Sequence, residues 1–481
     1  MVTIAGFLLI PFAVVSIFRR RLALLLTLVS IPFFALDIGY FLDHFFSFPE
    51  VIIIALLLNQ MLHMYHEDVV ILPVNSPIYL LIAFGIVSIL SVFALLVNPL
   101  EAMTHAYNFS TLDGFRLSPI EFTRNNISQL LLRLFVVAAI IGLSVELSHY
   151  DLEKVIRLVI VISLLVGGFG AFYQITQQIN ATGIWALAAT FGLDIMTNAG
   201  GFLGTGIPRM WTVAGEPGQT ASYLLYAFSL VVTLSFLPET RVLSRTQLRL
   251  TGGALFFLLI LTTSATAYGG LLIFAALFSV SSIIFDAVPL KKTLLGFAGV
   301  SLLGILAAVL TGSILDPSLL ALLQPLLAKL QFQAGSGTLR LQYLELALDI
   351  FSQRPVFGVG VGTYYGATLL GTLLAETGIV GFSVFVLAHI TAYWDCLRMR
   401  DSVNSQTSSI SIALVVSSAT LLGTVMLAKS ISTLLFPWFW LSLALPTALS
   451  LQKRGGKVTY SQVKSTFYSL AHSTEIRLPR E

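Results

Sequence analysis

Three arginines of this sequence stand where a positive charge needs a partner. Arg133 lies about two helical turns into a long apolar run, and Arg209 and Arg340 lie in stretches that separate such runs. A guanidinium at the centre of a membrane helix costs about 3 kcal/mol or more, and its fork of N–H donors fits a phosphate group. We therefore expect each arginine to contact an anionic group, either a carboxylate of the protein or a phosphate-bearing ligand.

Glu216 is the acidic residue best placed to act with them. It follows Arg209 closely and stands directly before Pro217, where an apolar run begins. Proline is favoured in the first turn of a helix, and the positive end of the helix dipole stabilises a carboxylate there. That structural explanation is complete by itself. The alternative is a general base beside a phosphate-binding arginine, and the residues leave both explanations open.

A polar stripe enters the apolar run that contains Arg133. Asn126, Gln129 and Arg133 recur at helical spacing, so they share one face of the predicted helix. Such a stripe faces a cavity or a neighbouring helix, because polar side chains are costly in contact with lipid. Arg133 is therefore either a hub of structural hydrogen bonds or part of a cavity wall.

A glycine-rich segment with the sequence FGVGVGTYY occupies 357–365. Glycine lets a backbone pass close to another backbone or to a ligand. The segment is not a dinucleotide fingerprint, because no strand–helix–strand unit surrounds it. The sequence contains one cysteine, no Walker-type loop and no histidine pair with plausible metal-ligand spacing. We expect no cofactor and no metal ion.

The elements that position these residues are predicted to be membrane helices. Of 481 residues, 57% are hydrophobic and 10% are charged, whereas soluble domains carry about 25% charged residues. The apolar runs are about 20 residues long, which suits helices that cross a hydrocarbon core about 30 Å thick. The fold class is therefore all-α, a polytopic integral membrane protein with about thirteen spans. They are predicted at 3–18, 22–39, 50–66, 77–97, 125–147, 155–176, 217–237, 250–264, 267–286, 293–311, 366–394, 408–427 and 431–451.

Charge sets the predicted orientation of these spans. Most lysines and arginines fall in short connections and near the C-terminus, which places those segments in the cytoplasm. We divide the chain into a transmembrane domain, 1–451, and a basic cytoplasmic tail, 452–481. Long loops are often functional. The long outer loops are predicted at 98–124, 177–216 and 312–365.

The third outer loop is predicted to contain two helices. One, at 318–332, is rich in leucine and suits the membrane interface. The other, at 338–353, follows a flexible Gly-Ser-Gly and carries Arg340 on its apolar side.

With these segments placed, the chain resembles the superfamily of O-antigen polymerases and O-antigen ligases. The resemblance covers most of the chain and depends on the order and spacing of three stretches. They are 122–129 (FTRNNISQ), 209–223 (RMWTVAGEPGQTASY) and 340–381, with RPVFGVGVG at 354–362 and LAETGIVG at 374–381.

The resemblance implies a polymerase of polyprenyl-diphosphate-linked oligosaccharide repeat units, with a GT-C-like architecture, in a bacterial inner membrane. It implies metal-independent, inverting transfer of the growing glycan to an acceptor sugar hydroxyl at the periplasmic face. Arg209 and Arg340 would neutralise the leaving diphosphate, and Glu216 would take the proton of the hydroxyl. The residues assigned to substrate binding are Arg124, Gln129, Arg133, Arg354, Tyr364 and Tyr365.

Expected partners are the lipid-linked oligosaccharide and membrane lipid, with a chain-length regulator as a candidate protein partner and no nucleic acid. Two alternative functions stay open. Ligases of the superfamily carry a histidine where this chain has Ala367, and many carry an arginine in the segment that is SATAYG at 264–269 here, so both departures favour a polymerase. A flippase for lipid-linked glycans would also need cations in a membrane cavity. It needs a path to both faces, however, and the cations outside the cytoplasmic segments gather at one predicted outer face.

Overall fold

A computed structural model of the protein describes residues 3–33, 36–41, 44–67, 76–98, 100–105, 117–179, 210, 212–237, 241–262, 264–285, 336–364, 366, 368–401, 405–428 and 436–454. These residues form thirteen α-helices, a 3-10 helix at Arg398–Asp401 and two antiparallel hairpins. The helices are α1 (Ile4–Ile17), α2 (Arg20–Ser30), α3 (Phe48–Glu67), α4 (Ser76–Val97), α5 (Arg124–Leu147), α6 (Leu152–Gln178), α7 (Pro217–Phe236), α8 (Arg245–Leu261), α9 (Ala265–Phe285), α10 (Ser336–Gln353), α11 (Leu369–Leu397), α12 (Ser405–Ala428) and α13 (Pro437–Arg454). The hairpins pair β1 (Asp37–Phe41) with β2 (His44–Ser47), and β3 (Leu100–His105) with β4 (Leu117–Ile120).

The described helices confirm a mostly helical membrane protein. Seven of them are long and apolar enough to cross a membrane: α4, α5, α6, α7, α9, α11 and α12. Shorter apolar helical stretches are formed by α1 and by most of α3. Large apolar side chains such as Phe7, Leu131 and Leu165 are exposed on the helix surfaces, as expected where lipid replaces water. The total of about thirteen spans stays a prediction, and the predicted span at 293–311 lies outside the described residues.

The second predicted span, 22–39, differs from the structure. Helix α2 ends at Ser30, and the chain then turns into the hairpin of β1 and β2. Pro32 explains the early end, because proline lacks the N–H that would continue a helix. The helix predicted at 338–353 is present as α10, and the one predicted at 318–332 lies outside the described residues.

Helix α7 lies at the centre of the bundle. Of its most apolar 18-residue window, 83% is buried, the highest share among the seven candidate spans. It packs against α6, α8, α9 and α12. The indole Nε1 of Trp438, on α13, donates to Ser222 Oγ of α7 at 3.1 Å, which ties the last helix to the central one. The position of Glu216 at the start of α7 is therefore held by the core of the protein.

Several inter-helix turns lie together at one end of the bundle. Arg157 Nε, on α6, donates to Val242 O beside α8 at 2.8 Å. Gln452, near the end of α13, donates to Tyr150 O between α5 and α6 at 2.7 Å. Gln406, at the start of α12, donates to Glu153 of α6.

Because these turns carry many arginines, we call this end of the bundle the basic end. Helices α5, α7 and α11 each have their C-terminal end there. Each is long enough to cross a membrane, so their N-terminal ends lie at the opposite end.

Candidate functional site

Helix α11 is interrupted inside its apolar length. Gly378 has φ 65° and ψ −168°, so the backbone leaves the helical conformation there. The break frees carbonyl groups that a regular helix would use internally. Ala375 O accepts the Val359 N–H at 2.8 Å, and Glu376 O accepts the Gly360 N–H at 3.1 Å. Irregular backbone at membrane depth is tolerated where other parts of the protein satisfy its polar groups. Here the loop 354–364, which contains most of the glycine-rich segment, does so. We call it the glycine-rich loop.

The same loop supports the other side of the break, through residues just before its glycines. Ile379 N–H donates to Pro355 O at 2.7 Å, and Val380 N–H donates to Val356 O at 3.3 Å. The two backbones are so close that a Cβ atom on Gly378 would lie 2.3 Å from Val356 O. The sequence left open whether the glycines approach a backbone or a ligand. At Gly358 it is a backbone, because an added Cβ there would lie 2.5 Å from Ala375 O.

A buried ion pair lies beneath the glycine-rich segment. Arg133 Nη2, on α5, lies 2.5 Å from Glu376 Oε2, on α11, and the two side chains are 3% and 1% exposed. The other carboxylate oxygen of Glu376 accepts the Gly362 N–H at 2.8 Å. The guanidinium also lies 5.8 Å from the centre of the Phe84 ring. The anionic partner expected for Arg133 is thus a carboxylate of the protein, and its Nη1 has no hydrogen-bond partner among the described residues.

The first turns of α5, including part of the polar stripe, also hold the glycine-rich segment. Asn125 Nδ2 donates to Gly362 O at 2.6 Å, and Asn126 Nδ2 donates to Val361 O at 2.7 Å. Gly362 has φ 79° and lies against Gln129, whose Cβ would be 2.9 Å from an added Cβ. Two stretches more than 200 residues apart in the chain therefore form one unit with α11.

Arg354 begins the glycine-rich loop and binds backbone. Its Nη1 donates to Ala94 O at 3.4 Å and its Nη2 donates to Asn98 O, at the C-terminal end of α4. A positive charge is favourable at that end of a helix dipole. Burial lowers the pKa of the half-buried Arg354 guanidinium from its ordinary value. Its described contacts anchor the loop to α4.

Tyr364 joins the same loop to α10. Its hydroxyl donates to Tyr343 O, and the ring is buried. Burial, as the largest cause, raises the pKa of the Tyr364 hydroxyl well above its ordinary value.

Arg340 lies on α10 and is half-buried. Arg124, the first residue of α5, is exposed at the end of the bundle opposite the basic end.

A tight turn positions Glu216 at the start of α7. Thr212 N–H donates to Gly215 O at 3.2 Å, and Gly215 N–H donates to Thr212 O at 2.9 Å. Gln219 Oε1 accepts the Glu216 N–H at 2.9 Å, and Pro217 is the first helical residue. The structural expectation for a helix start is met, yet the Glu216 side chain is exposed, so it remains accessible to a ligand.

The structure brings some of the predicted residues together and leaves others apart. Gln129, Arg133, Arg354 and Tyr364 all contact the glycine-rich loop or hold it against neighbouring helices. Glu216 lies at the same end of the bundle on a separate turn. The predicted residues outside the described part of the chain are Arg209 and Tyr365.

Sequence reasoning missed Glu376, the partner of Arg133. The signal was present, because Glu376 is an acid inside the predicted span 366–394 and intramembrane acids generally need a cationic partner.

Comparisons with known proteins are negative. No protein-family model matches the chain, and a search of curated proteins finds no match. What bears on function in the structure is the geometry of the end opposite the basic end.

Proposed function

We propose that the protein polymerises oligosaccharide repeat units carried on polyprenyl diphosphate. The observation that carries the proposal is the direct contact between two stretches that support the resemblance. Asn125 and Asn126 of 122–129 hydrogen-bond the loop of 354–362 at 2.6 and 2.7 Å. Glu216, from the remaining stretch, begins a helix at the same end of the bundle. Residues that act on one substrate must be gathered in this way.

The proposed reaction is an inverting glycosyl transfer. The acceptor sugar hydroxyl attacks the anomeric carbon of the donor, a carbon–oxygen bond to it forms, and the bond between that carbon and the diphosphate oxygen breaks. Glu216 takes the hydroxyl proton. Arg209 and Arg340 neutralise the diphosphate as it leaves. A hydrogen-bond donor that points at such developing charge typically stabilises the transition state by about 3–4 kcal/mol.

The remaining predicted residues divide by their contacts in this proposal. Arg124 is exposed and half-buried Gln129 lies against the glycine loop, so both are suited to contact a glycan. Arg133 binds Glu376, and Arg354 binds the end of α4. They act by holding the loop in place, and Tyr364 does the same toward α10.

The proposed location is a bacterial inner membrane, with the reacting end in the periplasm and the C-terminus in the cytoplasm. The grouping of turns at the basic end supports this orientation, because cytoplasmic connections carry an excess of lysine and arginine. Arg20, Lys154 and Arg157 lie at that end, and Glu216 lies at the other.

The test is incubation of the purified protein with a repeat unit linked to polyprenyl diphosphate. A ladder of products that differ by one repeat unit supports polymerisation. Transfer only to a lipid-core oligosaccharide would instead identify a ligase. Movement of the lipid-linked unit across a proteoliposome membrane without any new glycosidic bond would identify a flippase.

A further inference from the structure

A cavity of about 550 Å³ opens at the basic end, far along the bundle from the glycine-rich loop. It lies between the turn that joins α1 to α2 and the turn that joins α5 to α6. Arg20, Arg21, His149, Tyr150, Asp151 and Lys154 line it. Nothing in the proposed sugar transfer uses these residues, so the cavity requires its own explanation.

Arg20 is fixed at the wall of this cavity by a buried carboxylate. Its Nε donates to both oxygens of Glu146, at 2.8 and 3.0 Å, and the Glu146 side chain is fully buried. The Arg20 side chain is 32% exposed. Its two terminal nitrogens make no hydrogen bond within the part of the chain that the structure describes, so they are available to a ligand in the cavity.

The other charges leave the cavity with a positive excess. Arg21 is exposed and has no carboxylate within ion-pair distance among the described residues. Lys154 lies 3.4 Å from Asp151, but its side chain is 81% exposed, and solvated pairs of this kind contribute little. Three cations face two carboxylates, those of Glu146 and Asp151, which gives a net charge of +1 before His149 is considered.

The cavity also lies at the level where lipid headgroups are expected. Helix α5 ends at Leu147 and α6 begins at Leu152, and both are candidate membrane spans, so the turn between them lies at a membrane boundary. On α6, Val161 and Leu165 follow Lys154 at helical spacing and are 45% and 67% exposed. An apolar track therefore leads from the cationic cavity along the outer surface of the bundle.

We propose that this cavity binds the phosphate headgroup of an anionic phospholipid, with an acyl chain along the exposed face of α6. Arginine presents paired donors to a phosphate, and basic pockets at the cytoplasmic ends of membrane helices suit acidic headgroups. A free phosphate would share the cationic cavity but would make no use of the apolar track. The site is independent of the proposed sugar transfer and does not require it.

The experiment compares two charge-matched double variants of the full-length protein in detergent. Arg21→Gln/Lys154→Gln removes two exposed cations of the cavity. Arg245→Gln/Arg249→Gln removes two exposed cations of α8, outside the cavity. Thermal unfolding is followed while phosphatidylglycerol, phosphatidylcholine or inorganic phosphate is added, and native mass spectrometry counts the lipids that stay bound.

We expect phosphatidylglycerol to raise the unfolding temperature and to remain bound, with an apparent affinity reduced at least tenfold in the cavity variant and unchanged in the α8 variant. Without added lipid, both variants should unfold at the parental temperature, since their substitutions are exposed. Equal loss in the two variants would show diffuse attraction and overturn the site. Equal protection by phosphatidylcholine would overturn the role of charge. Equal protection by inorganic phosphate would overturn the lipid as the ligand.

Discussion

The buried ion pair between Arg133 and Glu376 provides a direct test of how the candidate site is held together. The substitution Glu376→Gln removes the negative charge but keeps the size of the side chain and an oxygen that can accept the Gly362 N–H. The Arg133 guanidinium, on a residue only 4% exposed, would then lack its counterion. Removal of one partner of a buried ion pair typically costs about 3–5 kcal/mol. We expect the free energy of unfolding to fall by about that amount.

A double variant checks the same magnitude from the other direction. Replacement of both charged partners by apolar residues of similar volume is often nearly neutral, so Arg133→Met/Glu376→Met should avoid the penalty of an isolated charge. One loss remains, because the Gly362 N–H no longer has the acceptor seen at 2.8 Å. An unsatisfied buried donor costs about 1–3 kcal/mol. The double variant should therefore be about 2 kcal/mol more stable than Glu376→Gln.

Unfolding in mixed detergent micelles, followed by the fluorescence of the buried Trp438 and Trp440, measures these differences. Glu121→Gln is the matched control, because Glu121 is an exposed glutamate at the same end of the bundle and exposed substitutions change stability by less than about 0.5 kcal/mol. Equal losses in Glu376→Gln and Glu121→Gln would refute the buried pair. A double variant less stable than Glu376→Gln would refute the argument from an uncompensated charge.

Three further predictions concern Gly378, Arg354 and Arg209. Gly378→Ala should destabilise by about 1–3 kcal/mol in the same unfolding assay, because the residue has a positive φ and its Cβ would strike Val356 O. The control Gly168→Ala meets nothing within 4 Å in the middle of α6, so it should be neutral or stabilise by up to about 1 kcal/mol. Arg354→Gln should cost about 1 kcal/mol or more through lost bonds to the end of α4, and parental stability would contradict that anchor. In the polymerisation assay Arg209→Lys should lose nearly as much activity as Arg209→Ala, because lysine lacks the two-pronged geometry, and parental activity of the lysine variant would show that charge alone suffices.

Hydrophobic pattern predicted most described helices to within a few residues. The span predicted at 125–147 is Arg124–Leu147, and the helix predicted at 338–353 is Ser336–Gln353. The span agrees because a membrane helix satisfies its own backbone and its length is set by the bilayer. The span predicted at 22–39 failed because apolar residues continue beyond Pro32 although the helix cannot.

The organisation of the candidate site was harder to predict. Glycine in an apolar run is compatible with a continuous helix. The local sequence therefore does not distinguish Gly378, where α11 is interrupted, from Gly168, where α6 is continuous. The break depends on donors from the glycine-rich loop. Likewise the stripe through Arg133 predicted a polar neighbour, but the identity of Glu376 depends on how α5 and α11 pack, which is tertiary information.

The most direct measurement of the proposed chemistry is the turnover of Glu216→Gln protein on a lipid-linked repeat unit. The amide keeps the shape of the exposed side chain but cannot take a proton from the acceptor hydroxyl. As a helix-start residue alone, Glu216 would contribute at most about 1 kcal/mol through the helix dipole, and the fold should survive its replacement.

The parental protein and the Glu121→Gln control should both produce the product ladder at comparable rates. We expect Glu216→Gln protein to unfold close to the parental temperature and still to bind the lipid-linked donor. It should form polymer at least a hundredfold more slowly, because a general base typically contributes on the order of 10²–10⁴-fold to the rate. Polymer formation at the parental rate by folded Glu216→Gln protein would contradict the proposal that Glu216 is the general base.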